Sequence, residues 1–170
     1  MRAEFSDTQI QAALMKHRLK FSKTNDPPGD AAELISRGNI VGWFQGRMDW
    51  SSHSLGSRSV LSSSFDTKSK DRLNHHLKQR SKFMPFAVSI LQEDAHKYIK
   101  GSPNSPHMMM AYDVLPHAKD DIIATVHVDG TTRPQTVTKE DFPLFYDLIR
   151  ECDKMTAVPA VLERNMVFRL

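Results

Sequence analysis

Hydrophobic residues recur along the chain with two different periods, which predict helices interspersed with strands. Spacings of three and four, preceded by capping residues, predict helices at residues 5–19, 30–38, 66–77 and 139–155, with a further helical turn at residues 93–99. Short apolar runs predict strands at residues 39–46, 85–91, 108–114, 122–128, 133–138 and 158–162. Because helices and strands are mixed along the chain rather than segregated, we expect an α/β fold.

The helix predicted at residues 139–155 has the most regular pattern. Its apolar side chains fall on one stripe of the helix surface: Phe142, Phe145, Leu148, Ile149 and Cys152. Asp141 followed by Pro143 marks its start. We therefore expect this helix to belong to the core.

Three segments interrupt the regular pattern. The prolines and the glycine of residues 21–29 predict a linker, after which Asp30 can cap the next helix. Residues 51–64 hold eight serines in fourteen positions and predict a loop, because small hydroxyl side chains disfavour helix and strand interiors. The three consecutive methionines at residues 108–110 are expected in a buried strand.

Length and composition indicate one domain. The 170 residues fit a single domain, which we divide into a helical lead-in at residues 1–38, a core at residues 39–163 and a short divergent tail at residues 164–170. Cys152 is the only cysteine, so we expect no internal disulfide and a reducing, cytoplasmic setting. No apolar run approaches the roughly 20 residues of a membrane-spanning helix, and the first residues do not resemble a secretion signal.

Positive charge concentrates between residues 58 and 82, where seven lysines and arginines occur with two aspartates. Lys78 and Arg80 are two positions apart, so in an extended segment both side chains project from one face toward a single anion. Such a pair suits a polyphosphate. The alternative is a solvated basic face. RNA binding is a weaker interpretation, because few aromatic residues interleave with the basic ones.

A second polar cluster follows the fourth predicted strand. His127, Asp129, Arg133 and Gln135 surround Gly130, and polar residues at the end of a strand often form a binding site. Asp129 with Gly130 is equally typical of a tight hairpin, so both interpretations stay open. The histidines have no metal-ligand spacing, and no phosphate-binding glycine loop or nucleophile–base pair is recognisable.

Five motifs occur in the order of one known family: VGWFQGRMDW, LGSRSVL, KQR followed by FMPFAVSIL, MMMAYDV and HVDGTTRPQTV. On the basis of these motifs, residues 5–162 resemble the C-terminal domain of carbamoyltransferases of the nodulation and antibiotic-biosynthesis type. The resemblance implies a twisted mixed sheet with flanking helices, similar to the threonylcarbamoyl-adenylate synthase fold. It also implies that the domain binds ATP and carbamoyl phosphate and forms carbamoyl adenylate. A separate actin-like domain would then transfer the carbamoyl group to an acceptor.

The resemblance also assigns site residues by motif. Lys78 and Arg80 match the family's Lys-x-Arg pair and would hold the triphosphate. Arg47 and Arg58 would contact phosphate or carbamoyl oxygens. The opposite wall would consist of four residues: His127, Asp129, Arg133 and Gln135. Mg²⁺ is expected on the phosphates of ATP, held by the nucleotide rather than by a protein cage.

Two segments depart from the family's pattern. Where the family has a Gly-x-Arg-Ala-Leu-Gly loop, residues 51–56 read SSHSLG, so His53 replaces an arginine among the expected nucleotide-binding residues. After the last strand the family continues with Asn-Thr-Ser-Phe-Asn, whereas residues 163–166 read ERNM, and Glu163 adds a negative charge near the phosphate site. A non-catalytic interaction domain that docks to an actin-like partner is therefore a second hypothesis.

Overall fold

A five-stranded mixed sheet forms the centre of the protein. The computed structural model describes residues 5–46, 53–77, 84–101 and 103–166. Its strands are β1 (Val41–Phe44), β2 (Arg58–Ser63), β3 (Ala87–Leu91), β4 (Tyr112–Asp113), β5 (Thr131–Thr132), β6 (Pro134–Val137) and β7 (Ala160–Asn165). The main sheet has the order β1-β2-β7-β3-β6, and β4 pairs with β5 in a small second sheet. β3 and β6 run parallel, whereas the other neighbours in the main sheet are antiparallel.

Helices flank this sheet, which confirms the predicted α/β class. The α-helices in the described residues are α1 (Asp7–Lys16), α2 (Pro27–Ser36), α3 (Thr67–Arg72) and α4 (Pro143–Thr156). One π-helical turn follows α3 at Leu73–Leu77, and 3₁₀ helices occupy Gln92–Lys97, Pro116–Ala118 and Ile123–Thr125. Similarity to the threonylcarbamoyl-adenylate synthase fold stays a prediction.

Helices α2 and α4 cover one face of the sheet. The predicted stripe of α4 is confirmed, because four of its side chains are buried in one cluster with residues of α2 and of all five strands of the main sheet: Phe145, Leu148, Ile149 and Cys152. Burial raises the pKa of the Cys152 thiol to about 12, so this group stays protonated and unreactive. The other face packs against the π-helical turn and the 3₁₀ segments through Val88, Ile90 and Leu162.

The helix starts follow the local capping chemistry. Ser6 Oγ accepts from the Gln9 backbone N–H, and Gln9 Oε1 accepts from the Ser6 backbone N–H at 2.9 Å, which is a complete capping box. Helix α2 begins three residues before the position that we predicted, because Asp26, not Asp30, is its N-cap. Proline lacks the N–H that a first turn leaves unpaired, so Pro27 begins the helix instead of preceding it.

The prediction of a loop over residues 51–64 was wrong for its second half. Residues 58–63 form β2, which lies between β1 and β7 in the main sheet. Pairing on both sides satisfies the backbone of this strand, so tertiary context overrides the low strand propensity of serine.

Of the predicted strands, one was wrong and another was right only in part. Residues 122–128 contain the 3₁₀ helix Ile123–Thr125, and residues 108–114 contribute the two residues of β4. Met108 is buried, but Met109 and Met110 are 72% and 61% exposed, so the methionine triplet is not a buried strand. An apolar run alone does not distinguish a strand from other buried segments.

Candidate functional site

The strand ends of the main sheet bring charged residues to one edge. β1 and β7 end at this edge, whereas β2, β3 and β6 begin there. We call it the polar edge and define it by four residues: Arg58, Arg133, Glu163 and Arg164. Of these, Arg58 and Arg133 were predicted as site residues.

Three predicted catalytic residues, Arg47, Lys78 and Arg80, lie outside the described residues. Their assignment to phosphate binding stays a prediction.

Arg58 ties the start of β2 to the end of β1. Its Nη1 donates to the carbonyl oxygens of Gln45 at 2.6 Å and Ser57 at 2.7 Å, and its Nη2 donates to that of Gly46 at 3.0 Å. The guanidinium also lies over the Phe44 ring, 3.2 Å from the ring centroid. These contacts fix the position of Arg58, and its predicted contact with substrate stays a prediction.

His127 and Asp129 lie at a tight turn, but the residues before this turn form no strand and β5 pairs with β4, so the segment is not the predicted hairpin. The His127 backbone N–H donates to the Thr131 carbonyl at 2.8 Å, and Gly130 has a φ of 82°, which favours glycine. Asp129 Oδ1 accepts from the Thr131 hydroxyl at 2.7 Å and from its backbone N–H at 3.0 Å, and these bonds lower the pKa of Asp129. Burial lowers the pKa of His127, which is therefore neutral near pH 7.

A cluster of basic groups lies at the polar edge, between the central strand β7 and the outermost strand β6. Arg164 lies in β7 opposite Val60, and Arg133 immediately precedes β6. Burial and the charge of Arg133 lower the pKa of Arg164. Burial and the charges of both arginines lower the pKa of His53. The two shifts share the same causes, which are burial first and the positive charge of neighbouring basic groups second.

Glu163, next to Arg164, is buried on the opposite side of β7 and is hydrogen-bonded to uncharged groups. Its Oε1 accepts from the Gly56 backbone N–H at 2.8 Å and from Ser59 Oγ at 2.5 Å, while its Oε2 is hydrogen-bonded with Ser89 Oγ. Burial raises the pKa of Glu163 to about 7, although these hydrogen bonds act in the opposite direction. The carboxyl therefore keeps its proton to a higher pH than an exposed glutamate does.

Gln135 completes this hydrogen-bonded network. The side chain is fully buried, its Nε2 donates to the Leu55 carbonyl at 3.3 Å, and its Oε1 accepts from Ser89 Oγ at 3.1 Å. Both ends of the amide are thus engaged within the protein. Gln135 supports Ser89 and Glu163, and its predicted contact with substrate stays a prediction.

The hydroxyl of Ser89 indicates which form of Glu163 the network prefers. This hydroxyl has one proton but lies beside two oxygens, Gln135 Oε1 and Glu163 Oε2. When Glu163 is protonated on Oε2, it donates to Ser89, and Ser89 donates to Gln135. When Glu163 is ionised, one of the two oxygens loses its donor. The geometry and the raised pKa therefore both favour the neutral acid.

The sequence did not lead us to assign Arg164 to the site. It singled out Glu163 only as a departure from the family's pattern. Both residues directly follow the apolar residues 160–162 of β7. Charged residues at the end of an apolar strand were the signal that singled out residues 127–135, and the same signal applies here.

The polar edge offers cations rather than metal ligands. Across the described ranges, no group of three or more His, Cys, Asp or Glu side chains is arranged to hold a metal ion. In those same ranges no helix has the length and apolar character that crossing a membrane requires.

Comparison with known families decides the relationship of the chain. The family model described as Carbamoyltransferase C-terminus matches residues 32–167. The chain belongs to this family. The predicted family is thereby confirmed over most of the sequence.

Curated proteins related to this carbamoyltransferase C-terminal domain are much longer than the chain itself. Nodulation protein NolO of Bradyrhizobium diazoefficiens is 33% identical over 162 residues, which cover 93% of this chain and 29% of the relative. The 3'-hydroxymethylcephem-O-carbamoyltransferase of Streptomyces clavuligerus is 35% identical over 125 residues, covering 72% of this chain and 23% of that enzyme. Uncharacterized protein MJ1058 of Methanocaldococcus jannaschii is 32% identical over 166 residues, which cover 95% of this chain and 27% of that protein. The chain thus spans less than a third of each of these relatives.

Proposed function

We propose that this carbamoyltransferase C-terminal domain binds ATP and carbamoyl phosphate and joins them into carbamoyl adenylate. The observation that carries the proposal is the family membership over residues 32–167. One relative is named as an O-carbamoyltransferase, and carbamoyl transfer requires an activated carbamoyl donor. The two arginines of the basic cluster, Arg133 and Arg164, support the proposal, because phosphate substrates require such positive charge.

The proposed reaction balances with one water. Carbamoyl phosphate and water give carbamate and inorganic phosphate. An oxygen of carbamate then forms a bond to the α-phosphorus of ATP, and the bond from this phosphorus to the oxygen that bridges to the β-phosphorus breaks, which releases pyrophosphate. Negative charge accumulates on the leaving pyrophosphate, so the protein contributes mainly charge neutralisation and positioning.

The residue roles are those that the family resemblance implies. Lys78 and Arg80 would hold the triphosphate, and Arg47 and Arg58 would contact phosphate or carbamoyl oxygens. Arg133 would add positive charge from the other end of the polar edge. Mg²⁺ would neutralise phosphate oxygens when it arrives with ATP, and the described residues supply no cage for it.

Pyrophosphate release tests the proposal directly. ATP and carbamoyl phosphate are incubated with the protein, and release is expected to require both substrates. Lys78→Ala should lower the rate about tenfold to hundredfold, because it removes a charge-assisted contact. Lys16→Ala in the exposed last turn of α1 is the matched control and should leave the rate unchanged. Wild-type protein that neither binds the two substrates nor releases pyrophosphate would contradict the proposal.

The transfer step would belong to another domain. Because the chain spans less than a third of its relatives, we propose that an actin-like domain takes the adenylate and carbamoylates an acceptor. Affinity capture with the actin-like product of a neighbouring gene tests this step. A complex that carbamoylates an acceptor, when neither protein does so alone, is the expected result.

A second candidate function is that of a non-catalytic interaction domain that docks to the actin-like partner. It is favoured by α1, which buries none of its residues, and by exposed apolar side chains in and beside that helix: Phe5, Ile10, Met15 and Leu19. The two functions give different results in the pyrophosphate assay. Adenylate formation by the isolated chain would exclude the second candidate, whereas partner binding without any turnover would favour it.

A further inference from the structure

Two buried guanidinium nitrogens at the polar edge lack a hydrogen-bond partner. Within the described part of the chain, the Nε atoms of Arg133 and Arg164 are both buried, and neither meets an acceptor. A buried donor without an acceptor costs free energy, and a charged donor costs more than a neutral one. Such a group is explained when an ion or ligand supplies the acceptor.

The strand registers place the two arginines close together. Glu163 pairs with Ala87 of β3, so Arg164 lies one residue further toward the polar edge than Ala87 does. Pro134 of β6 pairs with Val88, so Arg133 is level with Ala87. The backbones of the two arginines are therefore two strand spacings apart, about 10 Å. Two long side chains can converge on one ligand across that distance.

The carboxyl group adjacent to Arg164 does not neutralise this charge. Glu163 is hydrogen-bonded to Gly56, Ser59 and Ser89. The lowered pKa of Arg164 has burial as its first cause and the charge of Arg133 as its second. Two cations that repel each other in a partly buried position are stabilised by an anion between them.

We propose that Arg164, together with Arg133, binds a phosphoryl group, with His53 at the rim of the same subsite. This assigns Arg164 as a substrate-binding residue. The inference rests on the proposed function for the identity of the substrate that carries the phosphoryl group.

The charge and shape of the subsite select a phosphoryl group. A phosphoryl group is a tetrahedral dianion, so it balances both guanidinium charges, and its terminal oxygens can accept from the Nε and Nη donors of both side chains. A carboxylate has one charge and two oxygens, so it would leave one arginine uncompensated.

Calorimetry with inorganic phosphate, pyrophosphate and ATP, each at constant ionic strength, measures the contribution of Arg164. Arg164→Met keeps an unbranched side chain and removes the charge, and it should weaken phosphate binding about tenfold to hundredfold. Arg37→Met is the matched control, because Arg37 is exposed and paired with Glu33. It should bind all three ligands like the wild type. Weaker phosphate binding with unchanged ATP binding would assign the subsite to carbamoyl phosphate, and weaker binding of both would assign it to the nucleotide.

Thermal unfolding separates ligand binding from folding. Without ligand, Arg164→Met should be at least as stable as the wild type, because it removes a cation that Arg133 repels. Saturating phosphate should raise the Tm of the wild type and leave that of Arg164→Met unchanged. Equal phosphate affinity in both proteins, or no phosphate binding by the wild type, would overturn the proposal.

The pyrophosphate assay distinguishes failure of this inference from failure of the proposed function. If phosphate binding depends on Arg164 but no carbamoyl adenylate forms, the subsite stands and the proposed function fails. If the wild type forms the adenylate and Arg164→Met binds and reacts equally well, the function stands and the subsite is wrong.

Discussion

Glu163 is a single residue whose protonation affects the stability of the whole protein. Its pKa is raised from 4.5 to about 7 in the folded state, so the folded protein binds a proton more tightly than the unfolded chain does. The stability that the protonated carboxyl contributes is fully present below about pH 4.5, and it is lost as the pH rises through about 7. The hydrogen-bond geometry of Ser89 also favours the protonated form of Glu163, independently of the pKa.

Glu163→Gln should therefore remove a pH dependence. We expect the free energy of unfolding of the wild type to fall by roughly 3 kcal/mol, relative to Glu163→Gln, between pH 4.5 and pH 8. Glutamine has nearly the same shape, and the hydroxyls of Ser59 and Ser89 can rotate to meet its amide. Urea unfolding of both proteins over this pH range gives the difference. Two curves that stay parallel would show that folding leaves the pKa of Glu163 unchanged.

Gly56 is a residue at which no side chain fits. Its φ is +84°, and a Cβ atom there would come within 2.3 Å of Phe145 Cδ1. Gly56→Ala should cost about 1–2 kcal/mol for the backbone angle and a further 1–3 kcal/mol or so for overpacking. Gly101→Ala is the matched control, because Gly101 has a φ of +82° with nothing within 4 Å of its Cβ position. Chemical denaturation should show the larger loss for Gly56→Ala, and equal losses would contradict the clash.

At the scale of elements, α4 packs its apolar stripe onto the sheet and α2. Phe145 is fully buried in this cluster. Phe145→Ala should lower the free energy of unfolding by about 3–5 kcal/mol. Leu144→Ala alters the neighbouring residue, which is 49% exposed, and should cost far less. Urea unfolding measures both variants, and similar losses would mean that the stripe has been placed on the wrong face.

The elements that could be predicted are those whose formation depends on residues close together in the sequence. The stripe from Phe145 to Cys152 depends on spacings within one helix, and the structure confirms it. β2 could not be predicted in this way, because its serines occupy a strand only through pairing with β1 and β7. The start of α2 was placed late because Pro27 can either precede a helix or begin one.

At the scale of the whole molecule, the candidate site combines segments that lie far apart in the sequence. Arg133 could be predicted because it follows a turn with a recognisable signature, Asp129–Gly130. Arg164 carries a local signal too, because it follows an apolar strand, but its proximity to Arg133 depends on β3 lying between β6 and β7, and strand order is not readable from local patterns. The buried link from Glu163 through Ser89 to Gln135 depends on the same strand order. Hydrophobic patterning therefore predicted the layers of the fold better than the convergence of the polar groups.

The division between α1 and the rest of the molecule provides a test at this largest scale. α1 buries no residue, whereas α2 contributes Ala31, Ala32 and Ile35 to the cluster beneath α4. The ion pair between Lys23 and Asp7, 3.7 Å apart, is exposed at both ends, and pairs of this kind contribute little stability.

A chain that begins at Thr24 should therefore unfold within about 0.5 kcal/mol of the intact protein. Thr24 is retained because its hydroxyl accepts from the Asp26 backbone N–H at 3.1 Å, next to the cap of α2. A chain that begins at Arg37 should lose cooperative unfolding, because removal of α2 exposes the apolar surface of α4 and of the sheet to water. Thermal unfolding of the three chains measures the difference. A marked loss of stability in the chain that begins at Thr24 would mean that α1 packs against the domain, and its exposed apolar residues would then not be available to a partner.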